Sequence, residues 1–392
     1  MKKLFYIGLA GLALFEVLNV YFIMPMPGSQ RMNSLEPAYF LHSWRWVFRT
    51  VFILMAVAGS FYAFRVRRKY IPVAVLLFTL VVVYIFNFQM AADVMFLPPE
   101  KVILKTQAEN EVSGDRLVIG VEHGGEAKAY PVAFLAYHHQ VLDSVGGRPV
   151  IVTYCSVCRS ARVFEPVVNG RYEEFRLVGM DHFNAMFEDA TTGSWWRQVN
   201  GQAVIGKRKG TTLPEMDSRQ MTVEQWFALY PRGRVMQPDE AFVSEYDSLA
   251  KFEKGRSESH LTRTDSLSWK EKSWVVGIKT AGISKAYDWN ELKKERIIND
   301  RIGQQPVVLV LASDGQSFVA FERPSGESFT LTRDDLLVCG NDRYDLSGQH
   351  LSSPSKKLKR IQVYQEFWHS WRTFHPDTQR YGAEAAEGSN LY

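Results

Sequence analysis

Two cysteines, Cys155 and Cys158, stand two residues apart in Thr153-Tyr-Cys-Ser-Val-Cys-Arg159. Three kinds of chemistry use that spacing. Where a helix starts at the first thiol, its N-terminus lowers the thiolate pKa and the pair exchanges disulfides. Where the chain reverses tightly between two strands, both sulfurs aim at one point and hold a metal. The third use is a structural disulfide, although its four-residue ring is tight. Here apolar Val150–Tyr154 leads into the motif, and Arg162-Val-Phe-Glu-Pro166 reads as another strand ahead of an Asn169-Gly170 turn. The spacing therefore predicts a turn between strands, which is the metal arrangement.

Two sulfurs are half a tetrahedral site, so imidazoles are expected to complete it. His182 sits in Gly179-Met-Asp-His-Phe-Asn-Ala-Met-Phe187, close to Met180, Asp181 and Met186, and His138 with His139 lies just before the apolar strand. The expected metal ligands are Cys155, Cys158, His182 and His138. Thiolate with imidazole suits copper or zinc, and neighbouring methionine favours copper. A thiol–disulfide oxidoreductase would instead use Cys155 as nucleophile and Cys158 to resolve it. A scaffold with an inert disulfide is the third reading. His123 is read as an ordinary polar residue, and Cys339, with no partner in the sequence, as a buried core thiol. Asp189-x-x-Thr192-Gly193 before Trp195-Trp196 reads as a hairpin turn with packing aromatics.

The elements that position these residues repeat. Val118–Pro131 aligns without gaps on Val275–Asp288, and the same offset sets Asp143, Gly146 and Pro149 on Asp300, Gly303 and Pro306. The apolar strand Val150–Thr153 falls on Val307–Val310. Trp226 with Pro231 answers Trp371 with Pro376 at an offset of 145 rather than 157, so the second copy has lost 12 residues in between. Cys155 and Cys158 fall on Ala312 and Gly315, His138 on Glu295 and His123 on Thr280. The fold stands without those side chains, and their presence in one copy points to chemistry.

Each copy reads as β-rich. Val118–Val121 and Lys128–Tyr130 flank Gly124-Gly125, a hairpin signal. Further hairpins are expected at Arg162–Val168 with Arg171–Val178, and at Phe183–Asp189 with Trp195–Val199. Helices are expected at Thr222–Tyr230 and Gln365–Phe374. The fold class is thus three N-terminal transmembrane helices plus a β-rich (α+β) soluble region built from two divergent copies of one module. The divisions are a membrane anchor over 1–96, a first module carrying the C-x-x-C over 100–240, a linker over 241–274, a degenerate second module over 275–382 and a loose tail over 383–392.

Leu4 to Met24, Trp46 to Phe64 and Ile71 to Val94 are apolar runs of the length a bilayer needs, about 20 residues. The first is too long for a secretory signal and is followed by Met24-Pro-Met-Pro27 rather than a small-x-small cleavage site. Lys2, Lys3 and the Arg65–Lys69 turn carry the dense positive charge, which sets the N-terminus in the cytoplasm and the region after Phe96 outside a cytoplasmic (inner) membrane. Glu16, Asn19, Asn87, Gln89 and Asp93 are read as helix-pairing and snorkelling groups rather than an ion path. The net charge of +4 is concentrated beside these segments, which argues against nucleic acid as a partner. Three cysteines are too few for a disulfide scaffold. The expected partners are membrane lipid, through the three helices, and a membrane or periplasmic protein.

Gly-Glu-Ala-Lys-Ala-Tyr-Pro (125–131), Asp-Ser-Val-Gly-Gly-Arg-Pro-Val (143–150), Thr-Tyr-Cys-Ser-Val-Cys-Arg (153–159), Thr-Gly-Ser-Trp-Trp (192–196) and Phe-His-Pro-Asp-Thr (374–378) together resemble the bacterial domain of unknown function 3179 family. The resemblance covers about Glu111 to Tyr381. That family usually shows Trp-His-Glu where Tyr137-His138-His139 stands, so His138 matches and His139 departs. It commonly reads Cys-Pro-Leu-Cys at 155–158, and both thiols match. The resemblance implies a secreted or membrane-tethered bacterial domain and carries no activity with it.

Overall fold

The computed structural model describes residues 1–65, 67–324 and 326–382; the tail read as loose lies outside the described residues. The chain divides into two compact units. Residues 1–97 and 173–212 form one, and residues 98–172 with the chain from 213 onward form the other.

In the first unit, Lys2–Tyr21, Arg45–Ala63 and Tyr70–Phe88 are helices long and apolar enough to cross a membrane. At 1.5 Å per residue each spans about 30 Å, the thickness of the hydrocarbon layer. Small residues let the first two approach closely. A Cβ on Gly59 would stand 2.2 Å from the Phe5 nitrogen, and one on Gly8 2.6 Å from that of Ala56. The polar residues tie the helices together: Arg49 meets Glu16 at 2.7 Å and donates to Asn87, whose amide donates to Glu16 at 3.0 Å. A short helix, Leu35–Ser43, fills the loop after the first span, where none was expected. Residues 173–212 contribute an antiparallel sheet in the order Ala203–Ile205, Trp195–Arg197, Asn184–Asp189, Phe175–Asp181. Met180 N–H donates to the Ile23 carbonyl at 2.7 Å. At Gly179 (φ +153°) a Cβ would meet that same oxygen at 2.4 Å, so the approach requires glycine.

In the second unit one order of elements occurs twice. The hairpin Leu117–His123 with Glu126–Pro131 is followed by the helix Val132–His138 and the antiparallel strands Gln140–Val145, Arg148–Cys155 and Ser160–Phe164. The hairpin Trp274–Thr280 with Ile283–Asp288 is followed by the helix Trp289–Glu295 and strands Ile297–Ile302, Gln305–Leu311 and Phe318–Glu322. Each hairpin gains an antiparallel neighbour, Ser218–Thr222 or Val363–Phe367, and a parallel one, Arg234–Met236 or Gln379–Arg380. A Cβ on Gly120 would lie 2.2 Å from the Trp226 ring, and one on Gly277 2.2 Å from that of Trp371. Tyr130 donates to Asp143 at 2.8 Å as Tyr287 does to Asp300.

Local differences from the sequence reading have local causes. The seven-residue helices Val132–His138 and Trp289–Glu295 escaped notice because each is too short to show a helical period. The strand expected at Arg162–Val168 breaks at Glu165-Pro166, since proline cannot donate to the ladder. The helix expected from Gln365 begins at Trp368, after a strand. Its counterpart is Val223–Leu229, capped by the Thr222 hydroxyl, which accepts from Gln225 N–H at 3.2 Å. Residues 241–274, read as a linker, carry the helix Val243–Glu253, and buried Glu253 accepts from Arg116 at 2.9 Å.

Candidate functional site

Cys155 is the last residue of the strand Arg148–Cys155, and Ser160 opens the next, paired directly with Cys155. The C-x-x-C thus lies in a strand–turn–strand reversal rather than at a helix start. Arg159 closes it in the left-handed region (φ 54°). Its guanidinium is anchored to the carbonyls of Phe252 (3.2 Å) and Glu253 (2.9 Å) and stacks on the Trp274 ring at 3.6 Å. Those bonds hold the strained residue in place. On the other flank, His139, also left-handed (φ 61°), takes up the Tyr154 carbonyl at Nδ1 (2.8 Å) and offers its own carbonyl to Tyr154 N–H (3.0 Å). Burial lowers the His139 pKa to about 4, so the ring is neutral at pH 7 and Nδ1–H is the donor.

Both thiols are fully buried. Burial pushes the Cys158 thiol well up from its ordinary value, and a hydrogen bond with Cys155 and the charge Cys155 would carry push the same way; the Ser370 hydroxyl pulls against them. That hydrogen bond sets the two sulfurs in contact, and burial keeps Cys158 a thiol rather than an exposed thiolate.

The elements facing this turn come from the second half of the chain. The Phe367 N–H donates to the Cys158 carbonyl at 2.9 Å. Lys272 Nζ donates to the Val157 carbonyl at 2.7 Å and to that of Leu261 at 2.6 Å. His369 Nε2 lies 3.1 Å from the Val157 carbonyl and 3.2 Å from Lys272 Nζ. Burial lowers the Lys272 pKa to about 8 against the opposing pull of Cys158 and Cys155. His369 falls to about 3, through burial and then the Lys272 charge. Ser370 donates to Glu366 at 2.7 Å, and Glu366 pairs with Arg162, both buried. The turn is thus enclosed by one ammonium, a neutral imidazole and a satisfied ion pair.

The histidines named from sequence have hydrogen-bond partners of their own. His138 is buried with Nε2 2.6 Å from the Tyr246 hydroxyl, among the rings of Tyr137 and Phe242. His182 belongs to the first unit, whereas the cysteines belong to the second. It bonds Asp181 through Nδ1 at 2.7 Å, and that bond raises its pKa. Met180 and Met186 are buried in the same unit. Asp189 accepts from the Thr192 hydroxyl at 2.8 Å and from Trp196 Nε1 at 2.8 Å, the hairpin turn that was read there. Cys339, expected in the core, is only half-buried and points to Glu327 at 3.4 Å, because its strand Leu337–Cys339 ends at a turn. Among the described residues, no group of three or more His, Cys, Asp or Glu is placed to hold a metal ion.

Lys272, His369 and Ser370 were missed. Lys272 was hidden in a segment read as linker. A signal for the other two was present: at the offset of 145, His369 and Ser370 fall on Glu224 and Gln225, so the same alignment of the two segments flags them when read from the later one.

No curated protein and no solved structure matches the chain. The family described as "Protein of unknown function (DUF3179)" matches residues 100–378, well over half of the chain, and the protein belongs to that family.

Proposed function

We propose that this protein is a membrane-tethered module, built from two divergent copies of one fold, that holds one soft metal ion between Cys155 and Cys158. The ion that suits the arrangement best is Cu(I). Two thiolates are a donor set that soft Cu(I) accepts, whereas structural zinc takes four ligands. The observation that carries the reading is the pair of fully buried, touching thiols on a strand–turn–strand reversal. Full burial favours a small ion over a second protein's disulfide, since exchange requires an accessible thiolate. His138 and His182, already engaged with Tyr246 and Asp181, are not needed in a two-sulfur site.

Cu(I) with two thiolates carries one net negative charge, and a buried charge needs a partner. Lys272 supplies it, with Nζ fixed on the carbonyl of Val157 between the two cysteines. The module lies on the outer side of a cytoplasmic membrane, by the positive charge at Lys2, Lys3 and the Arg65–Lys69 turn. There it would receive the ion from, or pass it to, a membrane or periplasmic protein.

The test is an anaerobic Cu(I) titration of the full chain in detergent against a competing chelator. One equivalent should bind, zinc should not displace it, and Cys155→Ser or Cys158→Ser should each abolish it. His182→Ala and His138→Ala should leave affinity unchanged; a large loss from either would restore imidazole to the ligand set. Should the reduced protein bind no copper while Cys155 and Cys158 cycle reversibly between dithiol and disulfide, the oxidoreductase reading replaces this one.

A further inference from the structure

The first unit contains a polar cavity of about 460 Å³ at the end of its three long helices. Two of its lining groups are unmatched. Arg45, half-buried at the start of the second span, donates to the His42 carbonyl at 2.6 Å, and among the described residues it has no carboxylate at ion-pair distance. The neighbouring cations are already used: Arg49 on Glu16 (2.7 Å), and Arg176 on Asp93 (2.8 Å) and Glu188 (2.6 Å). The second group is Asn19, 7 % exposed, whose Oδ1 is buried with no hydrogen-bond partner among the described residues. Asn19 Oδ1 therefore lacks a donor, and Arg45 lacks a carboxylate of its own because Arg49 takes Glu16 and Arg176 takes both Asp93 and Glu188. Val20, Ile23, Phe86 and Met90 form an apolar wall beside them.

We infer that this cavity binds a phosphate ester whose alcohol part carries a hydroxyl or ammonium donor. The phosphate pairs with Arg45, the donor meets Asn19 Oδ1, and the apolar wall takes a glycerol or acyl portion. A guanidinium offers the forked donor geometry that a phosphate fits. His42 does not compete for it: its ring is 2.9 Å from Glu188, and burial lowers its pKa. The ligand chemistry is shared by a phospholipid headgroup and a soluble phosphate ester, and the position at a helix end places it at headgroup depth. This site is independent of the cysteine reading.

The full chain in nonionic detergent is titrated with short-chain phosphatidylglycerol, short-chain phosphatidylcholine and glycerol 3-phosphate, with binding read by native mass spectrometry. One phosphatidylglycerol should bind per chain, more tightly than phosphatidylcholine, whose headgroup has no donor. Arg45→Gln should weaken it by about tenfold or more, the worth of one charge-assisted bond. Arg45→Lys should retain most of the binding, which separates lost charge from lost folding. Asn19→Leu should erase the preference over phosphatidylcholine. Binding of glycerol 3-phosphate with the same dependence on Arg45, and not of lipid, assigns the site to a soluble ester. Equal binding of both lipids by the wild type, or Arg45→Gln binding like the wild type, overturns the inference.

Discussion

Two turns in the second unit occupy the same place in matching strand pairs and are held in opposite ways. At Ala312–Ser317 the turn is closed from inside. Asp314 accepts from Ser317 N–H at 2.8 Å and Gln316 N–H at 2.9 Å, and Gly315 supplies a left-handed φ of 67°. At Cys155–Ser160 the residue matching Asp314 is Val157, which has no side-chain acceptor, and the turn is held from outside. Lys272 and His369 take the Val157 carbonyl, and Arg159 supplies the left-handed residue. The flanking clamp is common to both. Arg296 (φ 62°) offers its carbonyl to Leu311 N–H at 2.8 Å, as His139 does to Tyr154. The reversal therefore needs neither thiol. What the first turn has gained is a buried dithiol under an ammonium, at the cost of a self-sufficient loop.

The sharpest way to break this contrast is to exchange the thiols. Removing either cysteine from the first turn should cut Cu(I) affinity by more than about 100-fold, beyond the loss from an outer-shell partner. Ala312→Cys with Gly315→Cys in the second turn should create no site of comparable affinity, because among the described residues no lysine bonds a carbonyl of that turn as Lys272 bonds that of Val157. Equal binding by the grafted turn, read by the same chelator competition, would show that the enclosure is irrelevant.

The next effect isolates that enclosure. Lys272→Met should lower Cu(I) affinity by about 10- to 100-fold while leaving one equivalent bound. Because the Cys158 thiol is raised by burial, metal binding must release protons, so affinity should fall as pH falls. A pH-independent affinity would mean that the sulfurs are not the ligands.

A smaller pair of substitutions probes what the two hairpin sheets have in common. Gly120→Ala and Gly277→Ala each drive a methyl into a buried tryptophan, Trp226 or Trp371. Each should destabilise by about 1–3 kcal/mol, measured by denaturant unfolding. A large loss at one site and none at the other would undo the equivalence of the two frames.

The smallest effect separates the two clamps by acid. His139 has a folded pKa of about 4 against an ordinary value of 6.5. The unfolded chain binds the proton first, so its contribution is complete above pH 6.5 and is lost as pH falls toward 4. Unfolding midpoints of the wild type should fall between pH 7 and 5 more steeply than those of His139→Gln. Identical slopes would show that the ring is not held neutral.

The apolar runs, the hairpin glycines and the alternating strands were legible because each is set by contacts within a few residues. The spans fall within six residues of where hydrophobicity alone drew them. The turn character of Cys155–Cys158 was legible for the same reason, since two strands bracket it. Short helices such as Val132–His138 were not, because tertiary burial rather than a helical period maintains them.

What the sequence by itself determined is three apolar helices long enough to cross a membrane, a β-rich region and a C-x-x-C turn between strands. Tertiary structure alone decided what surrounds that turn. The expected imidazoles bond Tyr246 and Asp181, and groups that pack on the turn, Lys272, His369 and Ser370, lie more than a hundred residues downstream. Spacing along a chain reports on local geometry. A buried site, by contrast, takes its charge balance from whichever distant element packs over it, and that is settled by how the sheets stack.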